Sequence, residues 1–260
     1  MTDLVDGSIA ALRTNHDQLV ELVSGAGPDD LTRPSGAAEW TVADVLSHLG
    51  SGSELFLVRL RAAIDGVPVG EVDNHAVWDR WNAMAAEEQA AGFVESEEAL
   101  VVALESLDAD QRRELSVDLG FMPAPAPMGQ FVGMRLVEVA NHAWDARAGL
   151  DPHAGIEPTS AALALESFAG VLAFMLGLST QPELLAEPVV LATEGYAVHI
   201  DDAVSVVAGP AEVATATFHG PQESVVRLMS GRLRPEVTPA GVTVTGNVTL
   251  DELRKVFPGY

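Results

Sequence analysis

The chain has 260 residues, enough for two domains or one large one, and its 48% hydrophobic content supports a packed core and rules against intrinsic disorder. With 14 Lys+Arg against 38 Asp+Glu, the net charge of -24 repels nucleic acid and anionic lipid, so neither nucleic acid nor membrane is expected as a partner. Cysteine is absent, which excludes a disulfide framework, a thiolate zinc site and a cysteine nucleophile; thiol chemistry would need a sulfur borrowed from a small molecule.

The start, Met1-Thr2-Asp3-Leu4-Val5-Asp6, lacks the basic residues and apolar run of a signal peptide, and a cytoplasmic location is expected. Ser8 to Val23 places Ile9, Leu12, Leu19, Leu22 and Val23 on one helical stripe, which Gly25-Ala26-Gly27-Pro28 ends. A second helix begins after Thr41, a natural N-cap with Asp44 where a capping-box acid belongs and Trp40 before it as a staple, and runs towards Ile64. A third is predicted from Val77 to about Leu107. Pro123, Pro125 and Pro127 then forbid regular structure until a helix over Met128–Gly149. Four such helices suggest an antiparallel bundle, a fold that carries metal ligands on facing helices.

From Asp151-Pro152 the texture changes. A helix over Ser160–Leu178 contains the most apolar stretch, which is well short of the ~20 residues that span a bilayer. Short β-prone runs follow at Pro188–Ala192, Tyr196–Ile200, Val204–Val207 and Val213–Phe218, then a helix over Pro221–Leu233, a strand at Val242–Val244 and a closing helix over Thr249–Phe257. The chain thus reads as an α plus α/β two-domain protein: a helical bundle over 1–150 and a small α+β domain over 151–260.

Three side chains carry the candidate chemistry. Glu138 and His142, four apart on one helix, point the same way and could grip one ion. A third ligand must come from another helix, and His48 is the best candidate; three protein ligands leave one tetrahedral position open, as in catalytic zinc sites. Val137, Val139 and Ala140 make the surroundings apolar, so a charged pair there demands a partner. Asp145, one turn after His142, could orient its ring, or equally be a surface carboxylate paired with Arg147. His16, His75, His153, His199 and His219 lack ligand spacing, and no phosphate loop or nucleophile elbow is present.

The segments Trp40-Thr41-Val42-Ala43-Asp44-Val45-Leu46-Ser47-His48-Leu49 and Glu138-Val139-Ala140-Asn141-His142-Ala143-Trp144-Asp145 resemble motifs of the mycothiol-dependent maleylpyruvate isomerase family. The looser C-terminal match rests on Pro221–Pro235. The resemblance implies a DinB-like antiparallel four-helix bundle joined to a small α+β domain similar to sterol carrier proteins. It places the family's zinc ligands on His48, Glu138 and His142, with Zn2+ or another divalent metal as cofactor. It also implies mycothiol, an actinobacterial thiol, as cosubstrate. That fits the missing cysteine, and it fits a chain whose single lysine, Lys255, and heavy alanine and valine use point to a GC-rich genome.

The open metal position would hold the thiol, whose sulfur would add to an electrophilic carbon, for isomerisation or for S-transfer. The partners expected are therefore a small-molecule thiol and an electrophile, on a monomer or homodimer. A substrate carboxylate would need a bidentate donor; Arg232 is the first choice, with Arg227 and Arg234 competing, and each of them could equally be a surface charge flanking a helix end. A different class stays open on sequence: a module that holds metal structurally and carries an apolar ligand in its C-terminal half.

Overall fold

A computed structural model describes residues 2–259, which divide into two compact units, one ending at Ala154 and the other beginning at Gly155.

The first unit is built on four long helices. Helix α1 (Thr2–Gly25) starts before the predicted Ser8, because Leu4 and Val5 extend its buried stripe. A short α2 (Pro28–Leu31) precedes the loop to α3 (Val42–Asp65). Thr41 and Asp44 form the expected capping box, the Asp44 N–H donating to Thr41 Oγ1 at 3.1 Å and the Thr41 N–H to Asp44 Oδ2 at 2.9 Å.

The single helix predicted over Val77–Leu107 is two, α4 (Asn74–Asn82) and α5 (Ala86–Glu105). The break follows from packing. Trp81 is buried against α3, its indole N–H donating to Glu54, while the Glu88 carboxylate accepts from the Ala85 N–H and starts a new helix. Then come α6 (Ala109–Glu114) and a two-residue antiparallel pair, β1 (Ser116–Val117) with β2 (Ala126–Pro127), inside the proline-rich stretch expected to be irregular. Helix α7 (Met128–Ala148) closes the unit. Each of α1 and α3 packs on both α5 and α7, which makes a four-helix bundle with a core of Leu12, Leu19, Leu46, Leu49, Phe93, Leu100, Phe131 and Leu136.

The second unit is α+β. Its predicted first helix is also two, α8 (Pro158–Phe168) and α9 (Ala173–Ser179), bent by 89° at the intervening break. Among the described residues no single helix is long and apolar enough to cross a membrane. Strands β3 (Val189–Ala192), β4 (Tyr196–Ile200), β5 (Val204–Ala208), β6 (Ala216–His219) and β7 (Thr243–Gly246) form one sheet in the order β5-β4-β3-β6-β7. Only the β3–β6 pair is parallel among these neighbours, and the connection between the two strands runs through the β4–β5 hairpin. Residues 213–215, predicted as strand, precede β6. Helix α10 (Gln222–Met229) packs on α8 and ends four residues before the predicted Leu233, and α11 (Leu250–Val256) is capped by Thr249 as expected.

Candidate metal centre

Helix α7 turns one polar stripe, Arg135, Glu138, His142 and Asp145, towards the bundle interior, while its other faces carry Leu136, Val139, Ala140 and Ala143 into the core. Helix α3 brings His48 to the same place. One ligand atom each from His48, Glu138 and His142 lie within 4.8 Å of one another, although 90 residues separate His48 from Glu138. His48 Nε2 is 2.5 Å from Glu138 Oε1, and His142 Nε2 is 3.6 Å from the same oxygen. The exposures fall inward, from 36% for the His48 side chain and 30% for Glu138 to 9% for His142. The group therefore opens on one side and is walled on the other.

Asp145 is fully buried and sits 2.9 Å from His142 Nδ1. With Nδ1–H held by this carboxylate, the lone pair of His142 is left on Nε2, which faces Glu138 and His48. Burial alone would raise the pKa of Glu138. Burial is the largest single influence, but the hydrogen bond from His48 and the charges of His142, His48 and Arg135 together outweigh it, and the carboxyl is drawn down to about 2. Glu138 is thus ionised at neutral pH, as a metal ligand must be. Two imidazole nitrogens and one carboxylate oxygen, converging and partly open, fit a divalent transition metal such as zinc.

The loop before α3 completes the wall. Ser35 N–H donates to the Trp40 carbonyl at 2.8 Å and Gly36 N–H to the Asp145 carbonyl at 2.7 Å, so the loop lies directly on α7. A side chain at Gly36 would put its Cβ 2.9 Å from Asp145 Cα and 2.8 Å from the Trp144 ring, which only glycine avoids. Glu39 adopts a left-handed φ of 64°, unusual for a residue with a Cβ. This turn delivers Trp40, which instead of acting only as a helix staple lays its ring 5.7 Å from His142, stacked, and 5.1 Å from His48.

A buried ion pair lies beneath the ligands. Arg135, 1% exposed, pairs with the wholly buried Glu97 of α5, and its Nη2 also donates to Ser53 Oγ at 2.6 Å and to the Leu49 carbonyl at 2.9 Å. Trp40 as a ring partner, Gly36 and this pair stand outside the expectations from sequence. Arg135 shares the helical stripe of Glu138 and His142, a signal that was available; Glu97 was hidden in the acidic run Glu95–Glu98, which looks solvated.

In the second unit, Arg227 is buried on α10, ion-paired with Glu223 at 3.5 Å, and donates to the Val237 carbonyl. Gly231 reverses the chain with φ 71°, and behind it Arg232 is 8% exposed with Nη1 donating to the Ser230 carbonyl at 3.1 Å. Arg234 pairs with Glu236 at 3.0 Å.

Residues 12–147 match the family model described as the mycothiol maleylpyruvate isomerase N-terminal domain. The chain belongs to that family. Two uncharacterised proteins of Mycobacterium tuberculosis, from strains CDC 1551 / Oshkosh and ATCC 25618 / H37Rv, are each 28% identical to it over 155 residues, covering 57% of this chain and 74% of theirs. Among solved structures, the crystal structure of the mycothiol-dependent maleylpyruvate isomerase is similar in fold, with a TM-score of 0.65 and 17% identity over 94% of each chain. A histidine-to-alanine mutant of that enzyme gives the same TM-score at 16% identity.

Proposed function

We propose that this family member is a metal-dependent enzyme that uses mycothiol to attack a small electrophile, with isomerisation or S-transfer as the outcome. The observation that carries it is the convergence of His48, Glu138 and His142 within 4.8 Å, partly open, in a family member without cysteine.

A divalent cation held by these three residues would supply a Lewis acid that brings a thiol pKa down from its usual ~8.5 towards neutrality. The chain's own residues prepare the place for it. Asp145 holds the His142 ring and its tautomer, Glu138 contributes a negative charge maintained by its neighbours, and Trp40 shields one side from water. In isomerisation the sulfur–carbon bond forms, the former double bond rotates and the sulfur–carbon bond breaks, which returns the thiol. In S-transfer that bond is kept and the adjacent carbon takes up a proton. We assign recognition of a substrate carboxylate to Arg232, with Arg227 second, on the chain reversal at Gly231.

Elemental analysis of wild type beside His48→Ala and His142→Ala tests the ligand set: about one zinc per chain is expected in wild type and little in either variant, and equal zinc in all three refutes it. Turnover of an electrophile panel with mycothiol, and none in thiol-free buffer, tests the chemistry. Arg232→Ala should weaken transition-state binding of a carboxylated substrate by about 1.5–3 kcal/mol with zinc content unchanged.

A further inference from the structure

The first unit holds a second buried cation, and this one is not matched. Arg59 lies on α3 eleven residues past His48, roughly 16 Å along the helix axis, and is 9% exposed. Its Nη1 donates to the Asp118 carbonyl at 3.3 Å and its Nη2 to Asn74 Oδ1 at 3.4 Å. Both acceptors are uncharged, and both distances lie beyond the usual range for a hydrogen bond of this kind. Among the described residues no carboxylate reaches Arg59 within the 4.0 Å of an ion pair. Arg135 shows the contrast: also buried in the same bundle, it is neutralised by Glu97. In a chain with 38 acidic against 14 basic side chains, an arginine withdrawn from water without an anion is an exception with an energetic cost.

The surroundings are those of a ligand recess. A cavity of about 280 Å³ opens beside the guanidinium, walled on one part by Val69, Val72, Leu119 and Phe121 and on the other by the polar Asn74 and Asp118. Phe121 leaves 67% of its surface in water at the rim. The 118–121 loop is shaped around the guanidinium: Gly120 has φ 76°, and a Cβ there would stand 2.9 Å from Arg59 Nη1. The one carboxylate on the wall, Asp118, is turned away from the arginine and accepts from the Gly120 N–H at 2.8 Å. Its charge at the rim disfavours a dianion while leaving room for a single negative charge.

We propose that this recess binds a small organic monocarboxylate, its carboxylate paired with Arg59 and its apolar body against Val69, Val72, Leu119 and Phe121. The volume is at the lower end of small-molecule sites, so the body is a single ring or a short branched chain. The proposal stands on Arg59 and its walls and is independent of the chemistry at His48, Glu138 and His142.

Benzoate is the probe, with benzamide as its neutral counterpart, each titrated into the zinc-free full-length protein while the Gly120 and Phe121 backbone amides are followed by NMR. Benzoate should shift both amides saturably, and benzamide should bind about tenfold more weakly or worse, the loss expected when a hydrogen bond to a charged group becomes a neutral one. Arg59→Met should weaken benzoate to the same degree. Phe121→Ala, a rim substitution that leaves the core untouched, should weaken it severalfold and keeps the idea testable if the arginine variant fails to fold. Absence of saturable shifts at these amides, equal affinity for benzamide, or unchanged benzoate binding in either variant overturns the proposal. Inorganic phosphate matching benzoate at the same amides would overturn the monocarboxylate class.

Discussion

Removing one member of the Arg135–Glu97 pair should cost far more than removing both. The pair is sealed from water, at 1% and 0% side-chain exposure, and it joins α7 to α5 directly beneath the ligand residues. Arg135→Met leaves a buried carboxylate with no cation and only the Ser53 hydroxyl donating to it; Glu97→Leu leaves a buried guanidinium. Each single change should destabilise by about 3–5 kcal/mol, the range for an uncompensated buried charge. The double variant, which replaces both by apolar groups of similar size, should lose at most about 2 kcal/mol, so the coupling energy is about 4 kcal/mol or more. Guanidinium chloride unfolding of all four proteins, stripped of metal so that ligand binding does not shift the midpoints, measures the cycle. Additivity to within about 0.5 kcal/mol would refute the reasoning, because it would mean the two charges do not depend on each other.

Asp145→Asn should keep the bundle folded while weakening zinc about 10–100-fold in a chelator competition, since the amide cannot hold His142 Nδ1–H as a carboxylate does. Gly36→Ala should lower the unfolding midpoint by the equivalent of about 1–3 kcal/mol, because the new methyl must push against the Asp145 backbone and the Trp144 ring. Glu157, at the N-cap of α8, is opposed most strongly by desolvation, but the backbone and side-chain hydrogen bonds from Thr159 and Ser160 together outweigh it and lower its pKa below 4.5. With the folded pKa depressed, its ionised cap stabilises fully above the unfolded value and is lost as pH falls through the folded one. Glu157→Ala should therefore cost about 1 kcal/mol at neutral pH and progressively less under acid denaturation below pH 4.5.

What the sequence determined by itself was whatever one helical turn decides. The Thr41–Asp44 capping box, the Thr249 cap and the shared face of Glu138 and His142 all follow from residues within one turn of each other, whereas the choice of Asp145 between His142 and the surface was left to the packing. Strands β4 and β5 were legible for the same reason, as short apolar runs between turn residues. Packing decided the rest. A helical pattern continues through residues 83–85, yet the chain breaks there because Trp81 is better buried against α3 than carried on along a straight rod. His48 meets Glu138 across 90 residues, Trp40 reaches both imidazoles through a loop bent over Gly36, and Glu97 finds Arg135 inside the bundle. No local rule separates Glu97, which is buried in an ion pair, from Glu95 two residues away, or Arg59, buried without a carboxylate, from the exposed Arg61. Each of these fates depends on which surface a neighbouring helix or loop covers, and that is set only when the four helices close on one another.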